Sequence, residues 1–400
     1  MHLLEIYALT TGSKIKKPFI IKKYFPLPFD KYITIQNSSG MPAKCYSYFQ
    51  EVINFLKPSL DEKGIKIVQI GSKEDTGLLG VIHLQGQSNI NQTAYILSNS
   101  LLHIGNDSFA IHMASAFGIP LIGLYSVSSP EIAGPYWKNE NQICLLPEGD
   151  WKPSFNPNET PKKIDSIKIE SITQSAEKLL FKNNQFKIKT KYIGEKFTHR
   201  LLESLPDQVL PQETFPNELL NIRFDYKSNF TDLNALAQNL NFRPCSVITK
   251  EPLNVEMLQP LFKNLKLVIY DVTENIDVSF IEKLHNLGIQ TSVIFKTDIG
   301  TEEDLNNRKL AIIELPINIQ EINAYPKNLP IDIKSDDTFR TNKILFGNNK
   351  VYSSRAAYLE NKDTGLKSDT IICEQKIKDI SNFEILKEDL DYCYVYENIS

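Results

Sequence analysis

The sequence predicts an α/β chain built from two doubly wound parallel-sheet domains. Three observations lead there. At 400 residues the chain is too long for one ordinary core. Strand-like and helix-like segments alternate at short intervals through roughly the first 180 residues, and a second alternating series begins near residue 219. A composition of 42% hydrophobic and 23% charged residues is that of a packed globular chain, not a disordered one.

Residues 32–36 read as a strand bounded by the turn cluster Asn37-Ser38-Ser39-Gly40. A helical pattern follows from about Lys44 to Leu56, with Tyr48, Phe49, Val52, Ile53 and Leu56 at helical spacing. Strands are expected at Ile65–Ile70, ending in Gly71-Ser72, at Val81–Leu84 and at Leu101–Gly105, with a helix over Asn91–Asn99. Ser108–Phe117 suits a helix closed by Gly118, and Pro120–Tyr125 another strand. The Pro- and Asn-rich stretch 145–165 reads as an irregular strap, and a helix over Ile169–Phe181 closes the domain. Short connections between alternating elements imply a Rossmann-like sheet, which binds ligands at the carboxyl ends of its strands. The polar clusters 37–40, 71–72, 106–108 and 126–129 all fall there.

The expected organisation is a first domain at 1–181, a linker at 182–218 and a second α/β domain at 219–400. In the second, strands are expected at Leu220–Phe224, Ser246–Thr249, Leu267–Tyr270, Thr291–Phe295 and Leu310–Glu314. Helical patterns cover Asp232–Leu240, Val255–Phe262 and Val278–Leu287, and weaker strands are expected at 342–346, 350–353 and 392–396.

A net charge of −4 gives no global basic footprint for nucleic acid. Only the stretch 182–200, rich in lysine, leaves such a partner open. The five cysteines are scattered without CxxC or ligand-like spacing, so neither a disulfide framework nor a metal site is expected. Met1–Glu5 lacks the start of a signal peptide, and no run of about 18 apolar residues is long enough for a spanning helix. A cytoplasmic location is the expectation.

A helix start is a ready anion site, because its first amides are unsatisfied and the dipole favours negative charge. Asp107-Ser108 lies between a strand and a helix, with Ser108 as candidate cap and His112 one turn further along the same face. Ser38 and Ser39 sit in a second such loop, with Lys44 expected one turn into its helix as a point charge for phosphate. Gly71 marks a third strand end.

At these residues the chain resembles the donor-binding domain of glycosyltransferase family 9, the ADP-heptose:lipopolysaccharide heptosyltransferases and their relatives. The likeness covers about residues 32–181. It rests on Asp107-Ser108-Phe109-Ala110-Ile111-His112 followed by an Ala-rich helix ending in Gly118-Ile119-Pro120. Leu124-Tyr125-Ser126, Pro130, Gly134-Pro135, Ser39 and Lys44 add to it. Phe109 stands where the family has glycine. The resemblance implies a GT-B-type architecture; since the family places its acceptor domain first, either the second domain serves that role in permuted order or the chain has no acceptor domain of the usual kind. It implies a nucleotide diphosphate sugar as substrate, a glycan or lipopolysaccharide-like acceptor, no separate cofactor, and inverting transfer. No DxD pair stands at a convincing strand end, since Asp336-Asp337 and Asp389-x-Asp391 lie in the weakly patterned tail, so no divalent metal is expected. Ser38, Ser39, Lys44, Gly71, Asp107, Ser108 and His112 would hold the donor.

Such a transfer needs a carboxylate or histidine near the acceptor hydroxyl. Asp225, Asp271 and Asp298 each follow an expected strand of the second domain, and Asp271 and Asp225 are the candidates for the base. Two alternatives stay open. Phe109 and the absent upstream domain suit an inactive nucleotide-sugar or glycan binding module, and the basic stretch suits a nucleic-acid-directed glycosyltransferase.

Overall fold

The computed structural model describes residues 1–182, 186–272, 276–297, 300–322, 332–364 and 373–399. Two compact units, Met1–Ile188 and Lys189–Ser400, divide the chain. Each carries a parallel sheet with helices, the expected α/β class.

Unit 1 contains strands β1 (Tyr32–Gln36), β2 (Lys66–Gln69), β3 (Ile82–His83), β4 (His103–Asn106), β5 (Leu121–Leu124) and β6 (Gln142–Leu145). Its helices are α1 (Leu3–Thr11), α2 (Phe49–Glu62), α3 (Ile90–Ser98), α4 (Phe109–Ala116), α5 (Pro130–Ala133) and α6 (Ile169–Phe181). The six strands run parallel in the order β3-β2-β1-β4-β5-β6. The chain first builds outward from β1, then returns to the middle and builds the other way. Right-handed crossovers therefore put helices on both faces. Helices α3 and α4 pack over Tyr32, Val68 and Leu121, while α2 packs with α6 and β2.

Unit 2 contains β7 (Ile188–Ile193), β8 (Leu201–Ser204), β9 (Leu220–Arg223), β10 (Cys245–Thr249), β11 (Leu265–Val272), β12 (Thr291–Lys296), β13 (Asn318–Ile322), β14 (Thr338–Thr341), β15 (Lys343–Gly347), β16 (Lys350–Tyr352), β17 (Cys373–Lys376) and β18 (Cys393–Asn398). Helices α7 (Asn234–Leu240), α8 (Val278–Asn286), α9 (Glu302–Leu310), α10 (Arg355–Leu359) and α11 (Phe383–Lys387) complete it. Its large sheet has the order β13-β12-β11-β10-β9-β8-β15-β16, and a smaller antiparallel sheet has the order β17-β14-β18-β7. From β8 to β13 the chain never reverses direction, so this sheet is wound once rather than twice. One apolar core joins α7, α8 and α9 to a single face, through residues such as Ile222, Val247, Val268 and Val293. A second core, around Phe339, Leu345 and Val395, joins the small sheet to the β15 end.

Three sequence readings are corrected here. The stretch 182–218 is not merely a linker: it contains β7 and β8, and β8 pairs with both β9 and β15. Leu310–Glu314 is no strand, because α9 runs to Leu310 and the strand comes later, at 318–322. Val255–Leu261 is a 3-10 helix, with Pro260 removing a donor that an α-helix would use.

The core of unit 1 includes a histidine. His103 opens β4, is fully buried and shares a 3.0 Å hydrogen bond with Thr34 Oγ1. Burial presses its pKa from 6.5 down to about 3, against the opposing effect of the Thr34 bond. The unfolded chain thus binds a proton, between about pH 6.5 and 3, that the folded chain refuses. Stability from this group is fully present above that window and is lost as pH falls through it. Both tryptophans, Trp137 and Trp151, lie in unit 1, so their fluorescence follows its unfolding alone. We predict a flatter decline of unit 1 stability on acidification in His103→Gln than in the parent; parallel curves would refute the assignment.

Candidate functional site

The reversal of strand order opens a crevice between the carboxyl ends of β1 and β4, the position where doubly wound sheets take ligands. Gln36 to Ser39 leave β1 into it, and Asn106 to Ser108 leave β4.

Asp107 organises the cluster. It is 6% exposed, and its Oδ2 accepts from Lys44 Nζ at 2.5 Å and from Ser128 Oγ at 2.6 Å. His112 Nε2 stands 3.9 Å from Oδ1. Ser39 Oγ donates to the Asp107 carbonyl at 3.3 Å. Burial holds the His112 pKa below its ordinary value; the carboxylate of Asp107 opposes that shift, while His2 and Lys44 reinforce it. His112 is therefore neutral at pH 7, and one ring nitrogen can accept a hydrogen bond.

Lys44 reaches Asp107 from an unexpected element. It lies on a separate 3-10 turn, Pro42–Lys44, not one turn into α2, which begins only at Phe49. The turn is clamped from several sides. Lys162 Nζ donates to the Cys45 carbonyl at 2.5 Å, and Asp165 accepts from Ser47 N at 2.8 Å. Tyr46 N donates to Asn106 Oδ1 at 3.2 Å, and the Tyr46 hydroxyl donates to the Ile167 carbonyl at 2.7 Å. The strap and the turn that follows it thus fix the lysine.

Ser108 flanks α4 but does not cap it. Its Oγ donates instead to Gln36 Oε1 at 2.6 Å, tying β1 to β4 and leaving the first amides of α4 without a side-chain acceptor. Ser38 Oγ donates to Asp75 Oδ2 at 2.5 Å, and the same oxygen accepts from Ser72 N at 2.8 Å. Gly71 has φ +150°, and a Cβ there would lie 2.0 Å from Asp75 Oδ2. Of the seven expected residues, Lys44, Asp107, His112 and Ser39 form one cluster, with Lys44 on its 3-10 turn and His112 in the first half of α4; Ser38 and Gly71 lie around Asp75, and Ser108 is tied to Gln36. Asp75, Gln36 and Ser128 escaped the sequence reading as individuals. Ser128 belonged to a polar cluster already noted, whereas the acid-bearing turn 72–75 carried no distinguishing signal.

The two candidate bases lie in unit 2 and differ. Asp225 is clasped by Arg223, Nε to Oδ1 at 2.8 Å and Nη2 to Oδ2 at 2.6 Å. Burial alone would raise its pKa, but the Arg223 guanidinium holds it below the usual carboxylate range. Such a carboxylate is a poor base. Asp271 does not follow a strand; it lies within β11, and Lys296 Nζ is 3.5 Å from its Oδ2. Asp298 lies outside the described residues.

Fold and crevice define a parallel-sheet binding unit with its site at the switch point. Residues 13–164, all within unit 1, match the family model for glycosyltransferase family 9 (heptosyltransferase). Two curated relatives are lipooligosaccharide heptosyltransferases 2. That of Haemophilus ducreyi is 31% identical over 27% of this chain and 35% of its own length. That of Haemophilus influenzae is 33% identical over 17% of this chain and 20% of its own. The chain thus spans about a third or less of the length of these relatives. Among solved structures, a family 9 glycosyl transferase from Veillonella parvula is 23% identical, covering 38% of this chain and 47% of that one, with a TM-score of 0.32. The ADP-heptose lps heptosyltransferase II of E. coli is 20% identical, covering 44% and 51%, with a TM-score of 0.31. No helix among the described residues is long and apolar enough to cross a membrane.

We predict that Gly71→Ala destabilises unit 1 by about 1–3 kcal/mol, from backbone strain plus displacement of the Asp75 carboxylate. In an Asp75→Ala background the cost should shrink to the backbone share alone. Equal costs in both backgrounds, read by tryptophan fluorescence in denaturant, would show that the carboxylate plays no part.

Proposed function

We propose that the chain transfers a sugar from a nucleoside diphosphate sugar to a glycan or lipopolysaccharide-like hydroxyl acceptor, with unit 1 holding the donor. One observation supports this reading above the others: the switch-point crevice combines uncapped α4 amides with Lys44 and His112. On this reading the amides and Lys44 face the departing diphosphate, which is where negative charge grows during transfer. An ammonium carries three donors, so Lys44 can serve a phosphate oxygen while keeping Asp107. Asp107 and Ser39 are left to orient the donor, and neutral His112 to accept or share a proton.

Transfer without a metal, inversion at the anomeric carbon and a cytoplasmic setting are further parts of the proposal. Asp271 is kept as the candidate base in preference to Asp225, which Arg223 occupies. A second reading, a donor-binding module without turnover, is favoured by Phe109, 43% exposed at the start of α4 where the family pattern has glycine.

Calorimetric titration with ADP, UDP, GDP and CDP tests the donor site. At least one should bind, and Lys44→Ala should weaken it about tenfold or more, since it removes a charge-assisted donor from the crevice. Titration curves unaltered in both Lys44→Ala and His112→Ala, or no binding at all, would dispose of the donor reading. Slow donor hydrolysis or transfer that persists in EDTA supports the enzyme. Tight binding with neither reaction supports the module.

A further inference from the structure

The face of the large unit 2 sheet opposite α7, α8 and α9 holds a cavity of about 320 Å³. That is near the small end of the roughly 300–1,000 Å³ range of small-molecule sites. Every lining residue belongs to unit 2. The face itself is unusual. A parallel sheet normally buries both faces and reads apolar throughout. Here the strands alternate, with Leu220 and Ile222 of β9 in the core and Asn221 and Arg223 toward the cavity. In β11, Val268 and Tyr270 go to the core, and Ile269 and Asp271 to the cavity; in β12, Val293 and Phe295 oppose Ile294 and Lys296.

Strand register turns this alternation into a surface. Arg223 neighbours Ile248, and Ile248 neighbours Ile269. One step along, Asp271 neighbours Ile294, which neighbours Gln320. The result is a strip of half-buried isoleucines with polar groups at its margins, flanked by Tyr226 and Tyr392.

The charges around the strip are already matched. Arg223 is held by Glu203 and Asp225, and Lys343 by Glu203 at 2.8 Å and Asp389 at 2.5 Å. Lys196 stands 3.9 Å from Asp391 and Lys296 3.5 Å from Asp271 Oδ2. A diphosphate would have to displace carboxylates from every cation. One acceptor oxygen is not matched by a hydrogen bond: Asp271 is 6% exposed, lines the cavity, and its Oδ1 has no hydrogen-bond partner among the described residues. An orphaned buried acceptor costs stability unless something donates to it. A cationic ligand is opposed by Lys296 beside it. What fits is a neutral donor attached to a partly apolar body, which is a hydroxyl on a sugar ring.

We propose that this cavity binds a neutral sugar ring, its C–H face on Ile248, Ile269 and Ile294 and one hydroxyl donating to Asp271 Oδ1. Gln320 and Asn221 offer amides at the rim. That the sugar belongs to the acceptor glycan rests on the donor reading of unit 1; the binding itself does not.

Ligand-observed NMR titration of the full chain with neutral hexoses, heptoses, N-acetylhexosamines and their disaccharides tests this. At least one should bind, and Asp271→Asn should weaken it about tenfold or more, having replaced a charged acceptor by an amide. Gln320→Ala, at an exposed strand position, should weaken it less and keeps the test sound if the first variant folds poorly. Sugar binding that persists while no nucleoside diphosphate binds would overturn the donor reading and leave the cavity assignment standing. Absence of sugar binding, or binding indifferent to both substitutions, would overturn the cavity assignment whatever the nucleotides do.

Discussion

The handedness of the strand-to-strand crossover governs both units. Because a right-handed connection fixes which face its helix covers, the direction in which a chain adds strands decides where helices can go. Unit 1 reverses that direction once, between β3 and β4. The reversal covers both faces of the sheet and parts the loops after β1 and β4, which makes the crevice. Unit 2 adds β8 to β13 without reversing. Helices α7, α8 and α9 share one face; the other carries α10 and α11 at its β15 end and is otherwise left to the strand side chains. Crevice and cavity are two outcomes of one stereochemical rule.

The two sites also handle charge differently. In the crevice of unit 1, Lys44 and Asp107 form a partly exposed pair in which the lysine keeps donors to spare. In unit 2, Lys343, Glu203, Arg223 and Asp389 form a closed network, nearly out of water. Burial alone would lower the Lys343 pKa, but Asp389 and Glu203 carry it well above its ordinary value. Closed networks of this kind seldom add net stability over apolar packing, because desolvation offsets the attraction.

Much of unit 1 was legible because its signals are local. Strand ends with Gly, Ser and Asn, the span Asp107 to His112, and Gly118-Ile119-Pro120 each announce a turn or helix boundary within a few residues. What the sequence concealed depends on distant partners. Ser108 looks like a helix cap, and only the proximity of Gln36 diverts its hydroxyl. Lys44 looks helical because Tyr48, Phe49 and Val52 follow at helical spacing, yet Pro42 and the clamp from Lys162 and Asp165 set it on its own turn. In unit 2, Asn221, Arg223, Ile269 and Asp271 alternate visibly with core residues. That alternation is visible in the sequence, but it does not tell where the strand stops, and β11 runs one residue past Asp271, which makes it a strand residue facing the cavity and not a loop acid.

The same distinction bears on how a donor would be recognised. A crevice with Asp75 and Asp107 beside its loops is a poor trap for free phosphate, since the fixed carboxylates oppose any anion that brings nothing else. Both, however, are held by hydroxyls, ammonium or backbone amides, so neither needs an incoming cation. A ligand gains there only if it offers hydroxyl donors to the carboxylates while its phosphates meet Lys44 and the α4 amides. On the proposed reading that combination is the donor itself, a sugar joined to a diphosphate, and the acids act as a filter against either half alone.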